Sequence, residues 1–190
     1  MENPMSRYLF LAILLLHLNG ATASAGSDSE VAALQQEVEH YQALLQEGKE
    51  QAKAFNGLGF AYYRLHRLPE ALDAYQQAIV ANPGYALAYN NLGAAHLTLK
   101  EYVQGEAAFR QALQLDPTWA KAAFNLAVVL YRQNRYLDAY MAYCTARKLD
   151  GAYVKERFDK TRAKEELQGK LRDDPDNSLL LLALKRLDDE

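Results

Sequence analysis

A single cysteine among 190 residues leaves no way to close a disulfide within the chain. Cys144 therefore reads as a half-buried thiol on a helix, with an intermolecular bridge as the alternative. Glycine (10) and proline (5) are both scarce, which disfavours a barrel or sandwich built from many tight turns. No basic cluster stands out, and the net charge is only -3, so nothing calls for a nucleic-acid partner. Serine is absent between Ser29 and Ser178, which removes the usual nucleophile from most of the chain. Three histidines, His40, His66 and His96, follow the first segment, and none has metal-ligand spacing. Gly57-Leu58-Gly59 begins like a dinucleotide fingerprint but lacks the third glycine and falls inside a helical pattern. Neither a catalytic site nor a cofactor nor a metal is expected.

What is present is helix-forming. Half of the residues are hydrophobic, and alanine, leucine, glutamine and glutamate dominate. The start reads as a targeting segment. Arg7 precedes the apolar run Tyr8–Leu18, Asn19-Gly20 breaks it, and Ala23-Ser24-Ala25 supplies a small-x-small cleavage sequence. A spanning helix needs roughly 20 apolar residues, more than this run supplies. Residues 1–25 are therefore expected to be a signal peptide, with an uncleaved anchor as the alternative, and the protein exported, to a periplasm first and otherwise secreted.

Self-similarity appears at a spacing of 34 residues. Leu58, Leu92 and Leu126 align, followed by the small residues Gly59, Gly93 and Ala127. Further on come Ala71, Gly105 and Ala139, then Tyr75, Phe109 and Tyr143, then Ala78, Ala112 and Ala146. Each unit closes at a turn residue (Asn82, Asp116, Asp150) followed by Pro83, Pro117 or Gly151. Large residues three and four apart give each helix one apolar stripe, and the small residues let paired helices approach. The spacing predicts helices over 53–65 and 69–81, 87–99 and 103–115, 121–133 and 137–149.

These units resemble tetratricopeptide repeats, through FNGLGFAYY…PEALDAYQQAIVANP and its two successors. The resemblance covers Ala52 to Gly151. It implies an all-α solenoid of three helix–turn–helix repeats (52–85, 86–119, 120–153) with flanking capping helices. Ala123, Ala127 and Gly151 depart from the pattern in the third unit, and Gly105 in the second.

Before the repeats, residues 26–51 are expected to hold one helix, opened by the capping box Ser27-Asp28-Ser29-Glu30 and ended at Gly48. Its stripe of Val31, Leu34, Val38, Tyr41 and Leu45 suits either a cap on the first repeat or a short self-association seam. Residues 152–190 are expected to form C-terminal helices. Val154 and Phe158 would cap the third repeat, and the leucine-rich end would dock on the array, a partner or a membrane surface.

In the resembled family the first helix of each pair lines a concave face that binds peptides. One side of the first helix carries Lys53, Asn56, Phe60, Tyr63 and Arg64. The second presents Leu87, Asn90, Ala94, Leu97 and Thr98, with Asn91 one step round. The third presents Lys121, Phe124, Val128, Tyr131 and Arg132, with Asn125 alongside. Asparagines suit an extended backbone, the rings supply apolar area, and the arginines suit a carboxylate. Some members of the resembled family hold a partner's C-terminal carboxylate in a clamp of lysines, asparagines and an arginine. Asn91 and Lys121 match it, whereas Asn56, Phe60 and Asn125 stand where a lysine, an asparagine and an arginine are expected. Three mismatches argue against that ligand. The expectation is a non-enzymatic adaptor holding a protein or peptide segment, in an envelope or secretion assembly, near a membrane. The alternative is a self-assembling spacer, a homo-oligomer driven by the terminal helices.

Overall fold

The computed structural model describes residues 28–157, apart from the side chain of Tyr136, and scattered positions between 165 and 185. The expected signal segment, Ser27 of the capping box, Phe158 and most of the C-terminal segment lie outside the described residues.

Among the described residues these helices follow one another: α1 (Asp28–Gln46), α2 (Gln51–Arg64), α3 (Leu68–Ala81), α4 (Ala86–Thr98), α5 (Tyr102–Leu115), α6 (Ala120–Arg132), α7 (Tyr136–Leu149) and α8 (Gly151–Arg157). The six repeat helices start and stop within two residues of the positions that the spacing predicts. Helices α2 and α3, α4 and α5, and α6 and α7 pack as antiparallel pairs, and each pair also packs on the next. The chain is an all-α solenoid of three helix pairs.

Each turn is built by identifiable groups. Within a pair, the first helix ends in a doubly bonded cap. His66 N–H reaches Tyr63 O at 3.0 Å and Arg67 N–H reaches Tyr62 O at 2.9 Å. Lys100 with Glu101, and Asn134 with Arg135, repeat the arrangement. His66, Lys100 and Asn134 sit in the left-handed region at φ 57°, 63° and 61°. Between pairs, the side chain of the turn residue accepts from the following backbone. Asn82 Oδ1 takes Gly84 N–H at 3.0 Å, Asp116 Oδ1 takes Thr118 N–H at 3.0 Å, and Asp150 Oδ1 takes Tyr153 N–H at 2.8 Å.

Inside each pair the small residue of the first helix faces the ring of the second. A Cβ added to Gly59 would lie 2.7 Å from the Tyr75 ring, and one on Gly93 would lie 2.7 Å from Phe109. Tyr75, Phe109 and Tyr143 are buried in consequence. Burial raises the Tyr75 hydroxyl well above its ordinary pKa, so it stays neutral.

The flanks close the two ends. Leu34 and Val38 of α1 are buried, and Tyr41 and Leu45 pack on the first-unit core, while Val31 stays exposed. Tyr41 lies over Gly57, where any Cβ would collide with its ring. Gly48, at φ 70°, stops the helix as glycine after a C-cap does. At the other end Val154 of α8 is buried in the third-unit core.

Candidate concave binding face

Helices α2, α4 and α6 lie side by side as the first members of their pairs, and their exposed side is the candidate site. The structure divides the expected groove residues into three groups.

The first group is structural. Asn91 Nδ2–H donates to Asn56 Oδ1 at 3.0 Å, and Asn125 Nδ2–H donates to Asn90 Oδ1 at 2.9 Å. Asn90 Nδ2 lies 3.4 Å from Asn91 Oδ1. Asn56 is 7% exposed and Asn90 1%. These two amides join α2 to α4 and α4 to α6 instead of facing a ligand. Asn91 and Asn125 are half-buried and share the same ladder. Tyr131, 6% exposed, belongs to the third-unit core, and Val128 is buried as well.

The second group is exposed or half-buried but engaged. Arg64 pairs with Glu30 of α1 at 2.6 Å, and Lys53 with Glu50 at 3.0 Å. Tyr63 Oη and Thr98 Oγ1 share a hydrogen bond of 2.9 Å across the first inter-unit gap. Thr98 also donates to Ala94 O. Arg132 is half-buried and has an interaction of its own.

The third group faces outward. Phe60 is 45% exposed, an unusual state for a phenylalanine on a packed helix. Leu97 and Phe124 are half-buried. The Phe124 ring meets Tyr153 of α8 edge-on, with centroids 6.1 Å apart. Lys121 is exposed and, among the described residues, has no carboxylate partner.

The charges of this face are segregated by repeat position, a pattern that the net charge of the whole chain conceals. Helices α2, α4 and α6 contain no aspartate or glutamate, yet hold Lys53, Arg64, Lys121 and Arg132. The acidic surplus lies elsewhere, with four carboxylates on α1 alone. Sorting charges by repeat position, instead of summing them over the chain, reveals the segregation.

Outside the groove, Glu106 of α5 links the second and third units. It accepts from Arg135 Nη1 at 2.8 Å, Gln133 Nε2 at 2.8 Å and Arg110 Nε at 3.0 Å. Partial burial would raise its pKa, but these donors and the Arg135 charge hold it below the ordinary value. A cleft of about 360 Å³ between α2 and α3 is lined by Phe55, Leu58, Tyr62 and Pro69, with Glu70 and Asp73. Among the described residues no cluster of His, Cys, Asp and Glu could hold a metal, and no helix is long and apolar enough to cross a membrane.

A stack of helix pairs with an open inner face defines a repeat scaffold for protein interaction. The tetratricopeptide repeat family model matches residues 38–86, 58–119 and 104–152, and the chain belongs to that family. The first match begins inside α1, so α1 stands where the second helix of a preceding unit would be. No curated protein matches the chain. Among solved structures it is similar to MamA, at 19% identity over 82% of this chain and 87% of that one, with a TM-score of 0.63. It is also similar to the second TPR domain of Spaghetti (RPAP3) bound to the HSP90 peptide SRMEEVD. That match has 24% identity over 56% of this chain and 98% of that one, and a TM-score of 0.53. The TPR2B domain of yeast Sti1, in a complex named with pHsp70, aligns at 22% identity over 61% and 98%, with a TM-score of 0.54.

Proposed function

We propose that this chain is an adaptor that holds an extended segment of a partner protein against the α2–α4–α6 face. The observation that carries the reading is Phe60, a large ring nearly half exposed on a face where Leu97 and Phe124, packed on the core from one side, also stay partly open. Apolar area of that kind on a rigid scaffold is what a binding surface offers. In solved structures of similar fold, the second TPR domain of Spaghetti is bound to an HSP90 peptide and the TPR2B domain of Sti1 is in a pHsp70 complex, which supports peptide binding as a use of this scaffold.

The adaptor is proposed to act after export, in a bacterial periplasm or as a secreted protein. Support comes from the apolar run Tyr8–Leu18 and the small residues after it. Sequencing the N-terminus of the protein isolated from its native envelope tests this, and an intact Met1 in that fraction counts against cleavage.

A photo-crosslinking amino acid at position 60 tests the groove. It should capture a partner that the same group at Val80, exposed on the second helix of the first unit, does not. Equal capture from both positions would sink the assignment.

A further inference from the structure

We infer that the groove takes an internal protein segment with carboxylate side chains around a bulky apolar residue, and not a free C-terminal carboxylate. This rests on the groove reading above and adds the chemistry of the occupant.

The charge pattern comes first. Three helices supply the face, and they carry four cations and no carboxylate in a chain that is acidic overall. Such a face attracts negatively charged segments and repels basic ones. The cations are not equally available. Arg64 and Lys53 already meet Glu30 and Glu50 of this same chain. Lys121, in the third unit, meets none among the described residues. Acidic side chains of the partner therefore belong nearest α6. The apolar residue belongs against Phe60 of α2.

The donor set then decides between a side chain and a chain end. A terminal carboxylate is held by several donors converging on two oxygens. Here Asn56 and Asn90 are buried, and Asn91 and Asn125 each spend an amide N–H on them. Lys121 remains as a point charge, able to meet one side-chain carboxylate without a preformed fork. Four cations on two of the three helices, two of them paired with carboxylates of this chain, also fall short of the clustered basic track that a nucleic-acid strand requires.

The test is fluorescence anisotropy with the full chain and short labelled peptides of alternating glutamate and leucine. One form is capped at both ends and the other has a free C-terminus. A lysine–leucine peptide and a single-stranded oligonucleotide serve as comparisons. The capped acidic peptide should bind as well as the free acid, lose affinity as salt rises, and bind about threefold to fivefold more weakly to Lys121→Ala. Arg147→Ala, exposed on α7, should change nothing. Binding of the free acid alone, or preference for the lysine peptide or the oligonucleotide, overturns the inference while the face remains a binding surface. If no probe of any charge binds, the groove reading falls with it.

Discussion

Asn91 and Asn56 meet through a 3.0 Å amide hydrogen bond that crosses from the second unit to the first, and Asn125 repeats it onto Asn90 one unit later. The ladder stops where its residues change. Gly57 takes the position of Asn91 and Asn125 in the first unit, and Tyr41 of α1 lies over it. Phe124 takes the position of Asn56 and Asn90 in the third, and Tyr153 of α8 packs on it. Aromatic caps thus replace the amide bond at both ends.

The ladder makes a stability prediction. Truncating Asn90 to alanine removes a buried partner and leaves the amide of Asn125 short of an acceptor. The expected loss is about 2 kcal/mol, read as a lower urea midpoint. Replacing Asn90 and Asn125 together with leucine should cost less than the single change, because no polar group is then stranded. A double variant weaker than the single one would show that the amides do more than satisfy each other.

The turns inside the pairs predict a gain. His66 and Lys100 hold left-handed backbone that glycine adopts freely, at φ 57° and 63°. His66→Gly and Lys100→Gly should each stabilise the fold by about 1 kcal/mol, net of the added freedom of the unfolded chain. Asn134→Gly should gain less, since asparagine tolerates this region better. Thermal unfolding of the three variants gives the order.

Glu106 predicts a pH dependence. Its folded pKa is lowered from the ordinary 4.5, so it contributes stability above that value. The contribution is lost as pH falls through the depressed folded value. Glu106→Gln should therefore be less stable at neutral pH, by about 1–2 kcal/mol, with the gap closing in acid. A gap that stays constant down to strongly acidic pH would mean that Glu106 acts by packing alone.

Phe60 predicts a separation of binding from folding. Phe60 is nearly half exposed, so Phe60→Ala should cost only about 1 kcal/mol of stability. Partner capture should nevertheless be lost. Tyr131→Ala should do the reverse and cost about 3 kcal/mol, because that ring is core. Circular dichroism melts alongside crosslinking distinguish the two.

The face was legible as a set of positions but not as a set of roles. Asn90 and Asn91 are neighbours in sequence with the same side chain, yet only Asn90 is fully buried. Phe60 and Tyr131 both looked like groove rings, and one is exposed while the other lies in the core. A helix turns 100° per residue, so periodicity places a side chain on a face but cannot say how closely the next helix approaches it. The hydrogen bond between Tyr63 and Thr98 likewise required the distance between two units, not the pattern within one.

The repeat register, the helix limits and the turn residues were determined by the sequence alone, because spacing of large and small side chains, proline and capping groups act within a few residues. The aromatic contacts at the two ends, the burial of the ladder and the availability of Lys121 were decided only by tertiary structure. Each depends on contacts between units or between a unit and a flanking helix, and those follow from the stacking of helices, which no local pattern encodes.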